Sequence, residues 1–372
     1  MSSVPSVMDA VICRGFGEAS VSEVPVPDVG DHDVLIDVRR VQLSVTECNL
    51  YRGEEIAHYE AVKTRIESGD GRVFGHEFCG EVVAVGDRVT AFDPGDRVYA
   101  PGKISCGECE YCRSNRELYC SNKTYIGYDI PGALAEYAVL PAAPLCLVPD
   151  DVTDAEATAL QPLASSVLCV EEAEIGTGDV VAVIGTGVMG SQCAQLARLH
   201  GADEVIAIDV ATEKLEIAEG FGLTTVDASR VDAVETVVEL TGGVGADVVI
   251  EAVGGNQSHG TKGADPLAQA SRMVTKGGRI VQVGYIIGDV TVTPRTFRTN
   301  SVDWVNPVTG VRPLGAGRTT GTFSARLVSD GRVSIDEYIT HELDGLSSFE
   351  EAVEITLDKH EHGALGPAQI IL

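Results

Sequence analysis

The stretch from residue 180 to residue 209 constrains the fold of this chain more than any other. It begins with a continuous apolar run, Val180–Ile184, continues with Gly-Thr-Gly-Val-Met-Gly at 185–190, and ends on a second apolar run closed by Asp209. Such a run is typical of a parallel strand covered on both faces, and the glycines permit a tight turn that approaches a pyrophosphate closely. The pattern predicts a doubly wound parallel sheet, with a helix over 188–200 whose free N–H groups face the phosphates.

The same stretch predicts which dinucleotide binds. Asp209 closes the second strand about twenty residues beyond the last glycine, where a carboxylate accepts both hydroxyls of a ribose and repels a 2′-phosphate. The sequence therefore favours NAD(H) over NADP(H). The candidate cofactor-binding residues are Gly185, Gly187, Val188, Met189, Gly190, Asp209 and Lys214.

The charge of the chain restricts its partners. Its 372 residues include 56 acidic and 27 basic ones, which gives a formal net charge of −29. Such a surface repels nucleic acid and anionic lipid, so we expect neither nucleic acid nor membrane as a partner. No apolar run approaches the roughly 18 residues of a membrane span, and the first thirty residues hold no basic segment followed by an apolar core. We therefore expect a cytoplasmic protein.

Four closely spaced cysteines form the strongest local motif. Cys106, Cys109, Cys112 and Cys120 lie in one short loop, whereas the other six of the ten cysteines are scattered. Four thiolates this close suit a closed tetrahedral zinc site with a structural role and no position open for water. An iron–sulfur cluster is the competing interpretation, because the first three cysteines also begin a ferredoxin pattern, although its Cys-Pro ending is missing. A cytosolic metal site explains this cysteine usage better than a disulfide framework.

The secondary-structure pattern of the rest of the sequence changes at Pro149 and again after Asn300. Short apolar runs broken by Pro and Gly up to Pro149 are typical of antiparallel strands, one of them a half-buried strand from Asp33. From Pro149 onward, helical and strand patterns alternate as in an α/β sheet. After Asn300 the pattern weakens, apart from a helix expected to begin with a serine cap at Ser347 and a short terminal strand.

Several motifs together resemble the zinc-type medium-chain dehydrogenases, which include alcohol, polyol, threonine and glucose dehydrogenases. The matching features are the Gly-His-Glu motif at 75–77, Gly-Asp-Arg-Val at 95–98, the four-cysteine loop, the glycine turn at 185–190, and Thr-His at 340–341. The resemblance implies a GroES-like catalytic β domain made of 1–160 and 306–372, with a zinc lobe at about 103–122. It also implies a Rossmann domain over 161–305, a cleft between the domains for a small-molecule substrate, and a homodimer or homotetramer.

The resemblance further implies a second, catalytic zinc, but the sequence departs from the family at its ligands. Ser44 falls on the first zinc-ligand cysteine, Gln161 stands where polyol and threonine relatives carry a glutamate, and Asn49 replaces a relay histidine. Two neutral groups in place of anions remove about two negative charges from the metal's surroundings, and neither is a usual zinc ligand. His76 and Glu77 are kept as possible ligands, and Thr46 falls on the proton-relay hydroxyl. The candidate catalytic residues are Ser44, Thr46, His76, Glu77 and Gln161.

These features predict an NAD-dependent oxidoreductase that moves a hydride between nicotinamide and the alcohol or carbonyl carbon of a small polar substrate. That substrate is expected to be a polyol, sugar, amino alcohol or secondary alcohol. Two alternatives remain open because of Ser44 and Gln161. One is a zinc-free reductase of an activated carbonyl or a conjugated alkene, and the other is an NAD-binding protein without catalysis.

The net charge of −29 predicts a dependence on salt. At molar salt the Debye length falls to about 3 Å, which screens self-repulsion that destabilises the fold in dilute buffer. We therefore interpret the acidity as an adaptation to high salt rather than as that of an ordinary acidic enzyme. The thermal unfolding midpoint and the activity should both rise between dilute buffer and molar KCl. Equal stability at low salt would show that the acidity is incidental.

Overall fold

Two units make up the structure, a computed structural model that describes residues 4–255, 257 and 265–372. The first unit holds the described residues up to Ala164 together with Gly310–Leu372, and the second is Ser165–Thr309. Each of the two units has its own apolar core. Among the described residues, no helix is long and apolar enough to cross a bilayer.

The first part of the chain forms fourteen elements. They are β1 (Val7–Gly15), β2 (Glu18–Pro25), β3 (Asp33–Gln42), α1 (Val45–Tyr51), α2 (Tyr59–Glu67), β4 (Glu77–Val85), β5 (Arg97–Tyr99), β6 (Lys103–Ile104), α3 (Glu110–Arg113), β7 (Thr124–Tyr125), β8 (Tyr137–Pro141), β9 (Cys146–Leu147), α4 (Asp154–Thr158) and α5 (Leu160–Glu172). The boundary between the two units lies inside α5. A 3-10 turn, Glu117–Tyr119, follows α3.

The second unit alternates strands and helices along the chain. Its elements are β10 (Val180–Ile184), α6 (Val188–His200), β11 (Glu204–Asp209), α7 (Thr212–Gly220), β12 (Thr224–Asp227), α8 (Ala233–Leu240), β13 (Ala246–Glu251), α9 (Pro266–Met273), β14 (Val274–Gln282), α10 (Pro294–Asn300) and β15 (Asp303–Val305). All six strands pair in parallel, in the order β12-β11-β10-β13-β14-β15. The order reverses at β10, which places the glycine turn after β10 at the switch point where such sheets bind dinucleotides.

The C-terminal residues complete the first unit. They form β16 (Pro313–Gly315), β17 (Arg318–Thr319), α11 (Thr320–Ser329), β18 (Glu342–Asp344), α12 (Phe349–Leu357), α13 (Lys359–His362) and β19 (Gln369–Ile371). The main sheet of this unit runs β18-β19-β3-β4-β5-β9, with β8 also paired to β3. Strand β3 is antiparallel to β4, and their register sets Gln42 opposite Glu77.

Two local features differ from what the sequence suggests. The polar segment 54–72 contains α2, whose buried residues are only Val62 and Arg65, so no apolar period marks it. The predicted serine cap near Ser347 is wrong in detail: α12 begins at Phe349, and Ser348 makes no side-chain cap. The Ser348 hydroxyl instead donates to the carbonyl oxygen of Asp344, because a 3-10 turn, Leu346–Ser348, precedes the helix.

Candidate active site

The glycine turn after β10 is shaped to accept a pyrophosphate. Gly185 has a φ of +87°, in the left-handed region that favours glycine. A Cβ on Gly190 would lie 1.8 Å from the carbonyl oxygen of Gly185, so α6 packs too closely on the turn for a side chain there. A Cβ on Gly187 would meet nothing within 4 Å. The N-terminus of α6, with half-buried Val188 and Met189, is therefore open to a ligand.

Asp209 is tied to this turn by its carboxylate. One oxygen accepts hydrogen bonds from the Thr186 amide at 2.7 Å and the Thr186 hydroxyl at 3.1 Å. The other accepts from the amides of Val210 at 2.8 Å and Ala211 at 3.0 Å. The carboxylate is thus fixed at the end of β11, beside the turn. Lys214 lies half-buried in α7. The binding roles of Asp209 and Lys214 stay predictions.

The four lobe cysteines converge on one point. Their ligand atoms all lie within 4.8 Å of one another, and the four closest Sγ pairs are 3.5 to 3.9 Å apart. A tetrahedral zinc with Zn–S bonds of about 2.3 Å places its sulfurs about 3.8 Å apart. The Cys106 amide also donates to Cys120 Sγ at 3.3 Å. The residues present fit a closed zinc site.

The backbone around Cys109 favours the thiolate form that zinc requires, whereas burial raises the pKa of the Cys112 thiol. Hydrogen bonds from the backbone of Cys112 and Ser121 lower the pKa of the Cys109 thiol to about 6. A thiol that loses its proton near neutral pH is ready to bind a cation. In the described part of the chain, this is the only group of three or more His, Cys, Asp or Glu side chains that could hold a metal ion.

His76 and two buried carboxylates form a second polar centre, in the first unit. His76 Nδ1 lies 2.7 Å from an oxygen of Glu47, and its Nε2 lies 3.7 Å from an oxygen of Glu77. The same oxygen of Glu47 accepts from the His76 amide at 3.2 Å. The second oxygen of Glu77 accepts from the Gln42 amide group at 2.6 Å, as the β3–β4 register requires. Glu47 is 1% exposed and Glu77 is 5% exposed.

The close charges shift the pKa of each group. Burial alone lowers the pKa of His76, but the carboxylates of Glu47 and Glu77 outweigh it and raise the pKa to about 9. Burial raises the pKa of Glu77 to about 7, against the opposing effects of His76 and Gln42. Burial also acts to raise the pKa of Glu47, but the contact with His76 lowers it overall. Glu47 is therefore the ionised partner that keeps His76 protonated.

Ser44 lies beside this centre as the N-cap of α1. Its hydroxyl accepts from the Glu47 amide at 3.2 Å and donates to the second oxygen of Glu47 at 3.3 Å. The Glu47 side chain in turn accepts from the Ser44 amide at 3.2 Å, which completes a capping box. One carboxylate thus joins Ser44 to His76.

Gln161 and Thr46 lie at the edge of the same centre. Gln161, in α5, donates to the carbonyl oxygen of Pro101 at 3.5 Å. A Cβ on Gly102 would lie 3.2 Å from Gln161 Nε2 and 3.6 Å from a ring carbon of His76, so both side chains border the same glycine. Thr46 is half-buried in α1, next to Glu47. The structure therefore brings Ser44, His76, Glu77 and Gln161 together and sets Thr46 on the adjoining helix.

The donors around His76 do not fit a tightly held catalytic zinc. Such a site uses thiolate, imidazole and carboxylate ligands, whereas Ser44 and Gln161 offer a neutral hydroxyl and a neutral amide. The Ser44 hydroxyl is already bonded within the capping box, and Glu77 is held by Gln42. Binding a zinc ion here would break these hydrogen bonds without supplying the missing negative charge.

Aromatic rings cover the centre on one side. The Tyr128 ring lies 5.4 Å from the His76 ring and stacks on the His58 ring at 4.4 Å, with an interplanar angle of 7°. His58 has a φ of +73°, uncommon for a residue other than glycine.

Sequence reasoning missed three members of this centre: Gln42, Glu47 and Tyr128. A signal existed for Glu47, because a serine followed three residues later by glutamate is the signature of a capping box. Gln42 follows only from the strand register. Tyr128 lies far from His76 along the chain, so nothing local in the sequence predicts that their rings lie 5.4 Å apart.

Two segments of the chain match models of known domains. Residues 30–150 match the alcohol dehydrogenase GroES-like domain. Residues 188–312 match the zinc-binding dehydrogenase domain. The first match contains the cysteine lobe and the His76 centre, and the second begins at the N-terminus of α6.

Full-length relatives are similar over nearly the whole chain. L-threonine 3-dehydrogenase of Bacillus subtilis (strain 168) is 32% identical over 345 residues, covering 91% of this chain and 92% of that protein. Erythritol/L-threitol dehydrogenase of Mycolicibacterium smegmatis is 31% identical over 377 residues, covering 96% and 99%. A solved structure described as a zinc-binding dehydrogenase of Sinorhizobium meliloti 1021 bound to NADP has a TM-score of 0.84 at 28% identity, covering 99% of this chain and 100% of that one.

The cysteine lobe is predicted to hold one zinc that stabilises the fold. Replacing Cys109 by serine removes one of four thiolates, and the protein should lose about one zinc per chain and unfold at a lower temperature. Zinc content by mass spectrometry and the thermal midpoint measure both effects. Cys169→Ser is the matched control, because Cys169 is buried outside the lobe. Unchanged zinc content in Cys109→Ser would contradict the assignment.

Proposed function

This chain belongs to the zinc-binding alcohol dehydrogenase family, whose members are NAD(P)-dependent oxidoreductases acting on CH–OH groups, and we propose that it acts on a small polar alcohol with NAD as its cofactor. The substrate classes proposed are polyols, sugars, amino alcohols and secondary alcohols. The relatives named for threonine and for erythritol or threitol support this range, since threonine is a hydroxy amino acid that contains an amino-alcohol unit and the other two compounds are polyols.

One observation carries the cofactor proposal, the open glycine turn with Asp209 fixed beside it. The turn leaves room at Gly187, and the Thr186 amide and hydroxyl hold the carboxylate in place. A carboxylate there favours NAD because it repels the 2′-phosphate of NADP. The similar structure from Sinorhizobium meliloti holds NADP, so this preference needs a direct test.

The His76 centre supplies the proton chemistry. When bound, the nicotinamide exchanges a hydride with the carbon that bears the reacting oxygen. Glu47 holds His76 Nδ1 at 2.7 Å, so the other ring nitrogen, Nε2, is the atom that exchanges a proton with the substrate. In the reducing direction, protonated Nε2 donates a proton to the carbonyl oxygen as it gains charge. In the oxidising direction, Nε2 accepts the hydroxyl proton and passes it to solvent, and Thr46 is the proposed relay hydroxyl.

Neutral groups at Ser44 and Gln161 favour a second candidate function. A centre that polarises the oxygen with hydrogen bonds alone suits an activated carbonyl or a conjugated alkene better than a simple alcohol. We keep the zinc-free reductase as the alternative for this reason.

The salt adaptation, the cellular location, the assembly and the domain limits are also proposals. The net charge of −29 supports a protein that works at high salt and binds neither nucleic acid nor membranes. We propose a cytoplasmic location. We propose a homodimer or a homotetramer as its assembly. We propose the domain limits 1–160 with 306–372, and 161–305.

Activity is predicted with at least one alcohol of the proposed classes. NADH absorbance, followed in several molar KCl with polyols, sugars, amino alcohols and secondary alcohols, should show turnover. NAD should be preferred over NADP by about tenfold, equivalent to about 1.4 kcal/mol. Asp209→Ser should bring the two cofactors close to parity.

Three results would contradict parts of this proposal. Preference for NADP in the unmodified protein would refute the role of Asp209. Turnover of enones or activated aldehydes alone would establish the alternative reductase. NADH binding with no turnover of any compound would indicate a binding protein without catalysis.

A second zinc site is predicted to appear when anionic side chains replace Ser44 and Gln161. Ser44→Cys with Gln161→Glu supplies a soft and a hard anionic ligand beside His76 and Glu77. The double variant should hold about one zinc per chain more than the unmodified protein, measured by mass spectrometry after dialysis. Each single variant serves as a control and should gain less. If the double variant gains no zinc, the alignment of these positions with metal ligands is wrong.

A further inference from the structure

Glu251 is a fully buried carboxyl group that the proposed proton transfer does not use. It is the last residue of β13, in the second unit, and it is 0% exposed. Its Oε1 accepts hydrogen bonds from the backbone amides of Val253 at 2.9 Å and Gly254 at 3.2 Å, and from the side-chain amide of Gln257 at 3.2 Å. Burial raises the pKa of Glu251, although these hydrogen bonds oppose the shift. Because all three donors are neutral, the burial of this acid is costly, which points to a functional role for the loop that it holds.

The backbone of Glu251 holds a second loop. Its carbonyl oxygen accepts from the amides of Val283 at 2.8 Å and Gly284 at 2.9 Å, just after β14. We call residues 252–255 the first loop and residues 283–287 the second loop. One residue thus holds the loops that follow two neighbouring strands, the first by its side chain and the second by its main chain.

The two loops are also bonded to each other. The amide of Gly255 donates to the carbonyl oxygen of Tyr285 at 2.7 Å, and the amide of Ile287 donates to that of Gly255 at 2.9 Å. A Cβ on Gly254 would lie 3.0 Å from the amide nitrogen of Tyr285, so the backbones of the two loops are in close contact. A change in the shape of the first loop must therefore displace the second.

The first loop packs against the glycine turn that follows β10. A Cβ on Gly185 would lie 2.8 Å from a side-chain carbon of Val253 and 3.0 Å from its amide nitrogen. A Cβ on Gly190 would lie 3.3 Å from the side chain of Ala252. The loop that Glu251 holds is therefore in direct contact with the turn that is shaped for a pyrophosphate.

The strand order indicates which part of a dinucleotide lies over these loops. Strand β11, which ends on Asp209, lies on one side of β10, and β13 and β14 lie on the other side. A dinucleotide with its adenosine ribose at Asp209 and its pyrophosphate at the turn extends its nicotinamide half over the ends of β13 and β14. Tyr285 is 56% exposed and Ile287 is 39% exposed, so the second loop has an open surface there.

We propose that Glu251 is a positioning residue for the cofactor, which holds the first and second loops in the shape that seats the nicotinamide half of NAD. The inference rests on the proposed function, because it takes NAD as the ligand of the glycine turn. Glu251 acts through the loops and does not touch the cofactor, since its side chain is fully buried. Among the described residues its Oε2 has no hydrogen-bond partner, so Oε1 alone holds the first loop.

Glu251→Ala tests the proposal in the full-length protein. It removes the oxygen that the amides of Val253 and Gly254 share, so the first loop should lose its shape. If the seat then forms about one tenth of the time, the Kd of NADH rises about tenfold. ADP carries the adenosine and diphosphate groups but no nicotinamide half, so its Kd should stay within about twofold. Fluorescence titration with NADH and calorimetry with ADP, both in several molar KCl, measure the two Kd values.

Three further variants control for damage to the fold. Glu251→Gln keeps an accepting oxygen and should hold the Kd of NADH within about threefold of the unmodified value. Val249→Ala is the matched control, because Val249 is buried at 0% exposure in the same strand; it should lower the thermal midpoint by opening a cavity and leave both Kd values unchanged. Gly254→Ala serves if Glu251→Ala does not fold. It crowds Tyr285 and leaves Glu251 in place, and it should weaken the binding of NADH but not of ADP.

The outcomes separate this inference from the proposed function. A tenfold loss of NADH affinity in Glu251→Ala, with ADP binding kept and Glu251→Gln close to the unmodified protein, supports the inference. Equal losses for NADH and ADP, or unchanged NADH binding, overturn it. The same selective loss in a protein that turns over none of the alcohols overturns the proposed dehydrogenase activity and supports the inference. An unmodified protein that binds neither NADH nor NADPH overturns both.

Discussion

Glu47 is an ionised carboxylate at 1% exposure, and the polar centre of the first unit depends on how its charge is compensated. An unpaired charge at such a depth would cost several kcal/mol. Its four hydrogen bonds come from the amide and hydroxyl of Ser44 and from the amide and ring of His76. The carboxylate therefore fixes the start of α1 and the orientation of the histidine at the same time. Removing it would leave His76 without the partner that keeps it protonated.

A second carboxylate makes this arrangement asymmetric. Glu77 is almost as buried as Glu47, but it lies 3.7 Å from His76 and is bonded mainly to Gln42. Because burial raises the pKa of Glu77 while His76 lowers that of Glu47, the two acids behave differently around one imidazole. Such separation of neighbouring acids is typical of sites that move protons.

The sequence predicted the parts whose chemistry is local. Helix α6 spans Val188–His200 as predicted, because a glycine turn precedes it and Gly201 follows it in a left-handed conformation. The α/β class, the doubly wound sheet and the dehydrogenase class are confirmed by the strand order and by the family matches. The cysteine lobe followed from spacing alone, and its sulfurs do converge.

The parts that escaped prediction depend on contacts between distant residues. Glu47 contacts His76, 29 positions further along the chain, and the ring of Tyr128 lies 5.4 Å from that of His76 although the loop around Tyr128 carries no motif of its own. Helix α2 was missed because it buries too few apolar side chains to show a period. The sequence pointed to Ser44 and Gln161 as substituted metal ligands, but only the structure shows Ser44 engaged as a helix cap.

The central claim is that a network of hydroxyl, imidazole and carboxylate groups stands where the family resemblance implies a catalytic zinc. The most direct measurement is the zinc content of the unmodified protein by native mass spectrometry, after dialysis against metal-free buffer. One zinc per chain, lost on Cys109→Ser, is the predicted result. Two tightly held zinc ions per chain would contradict the account.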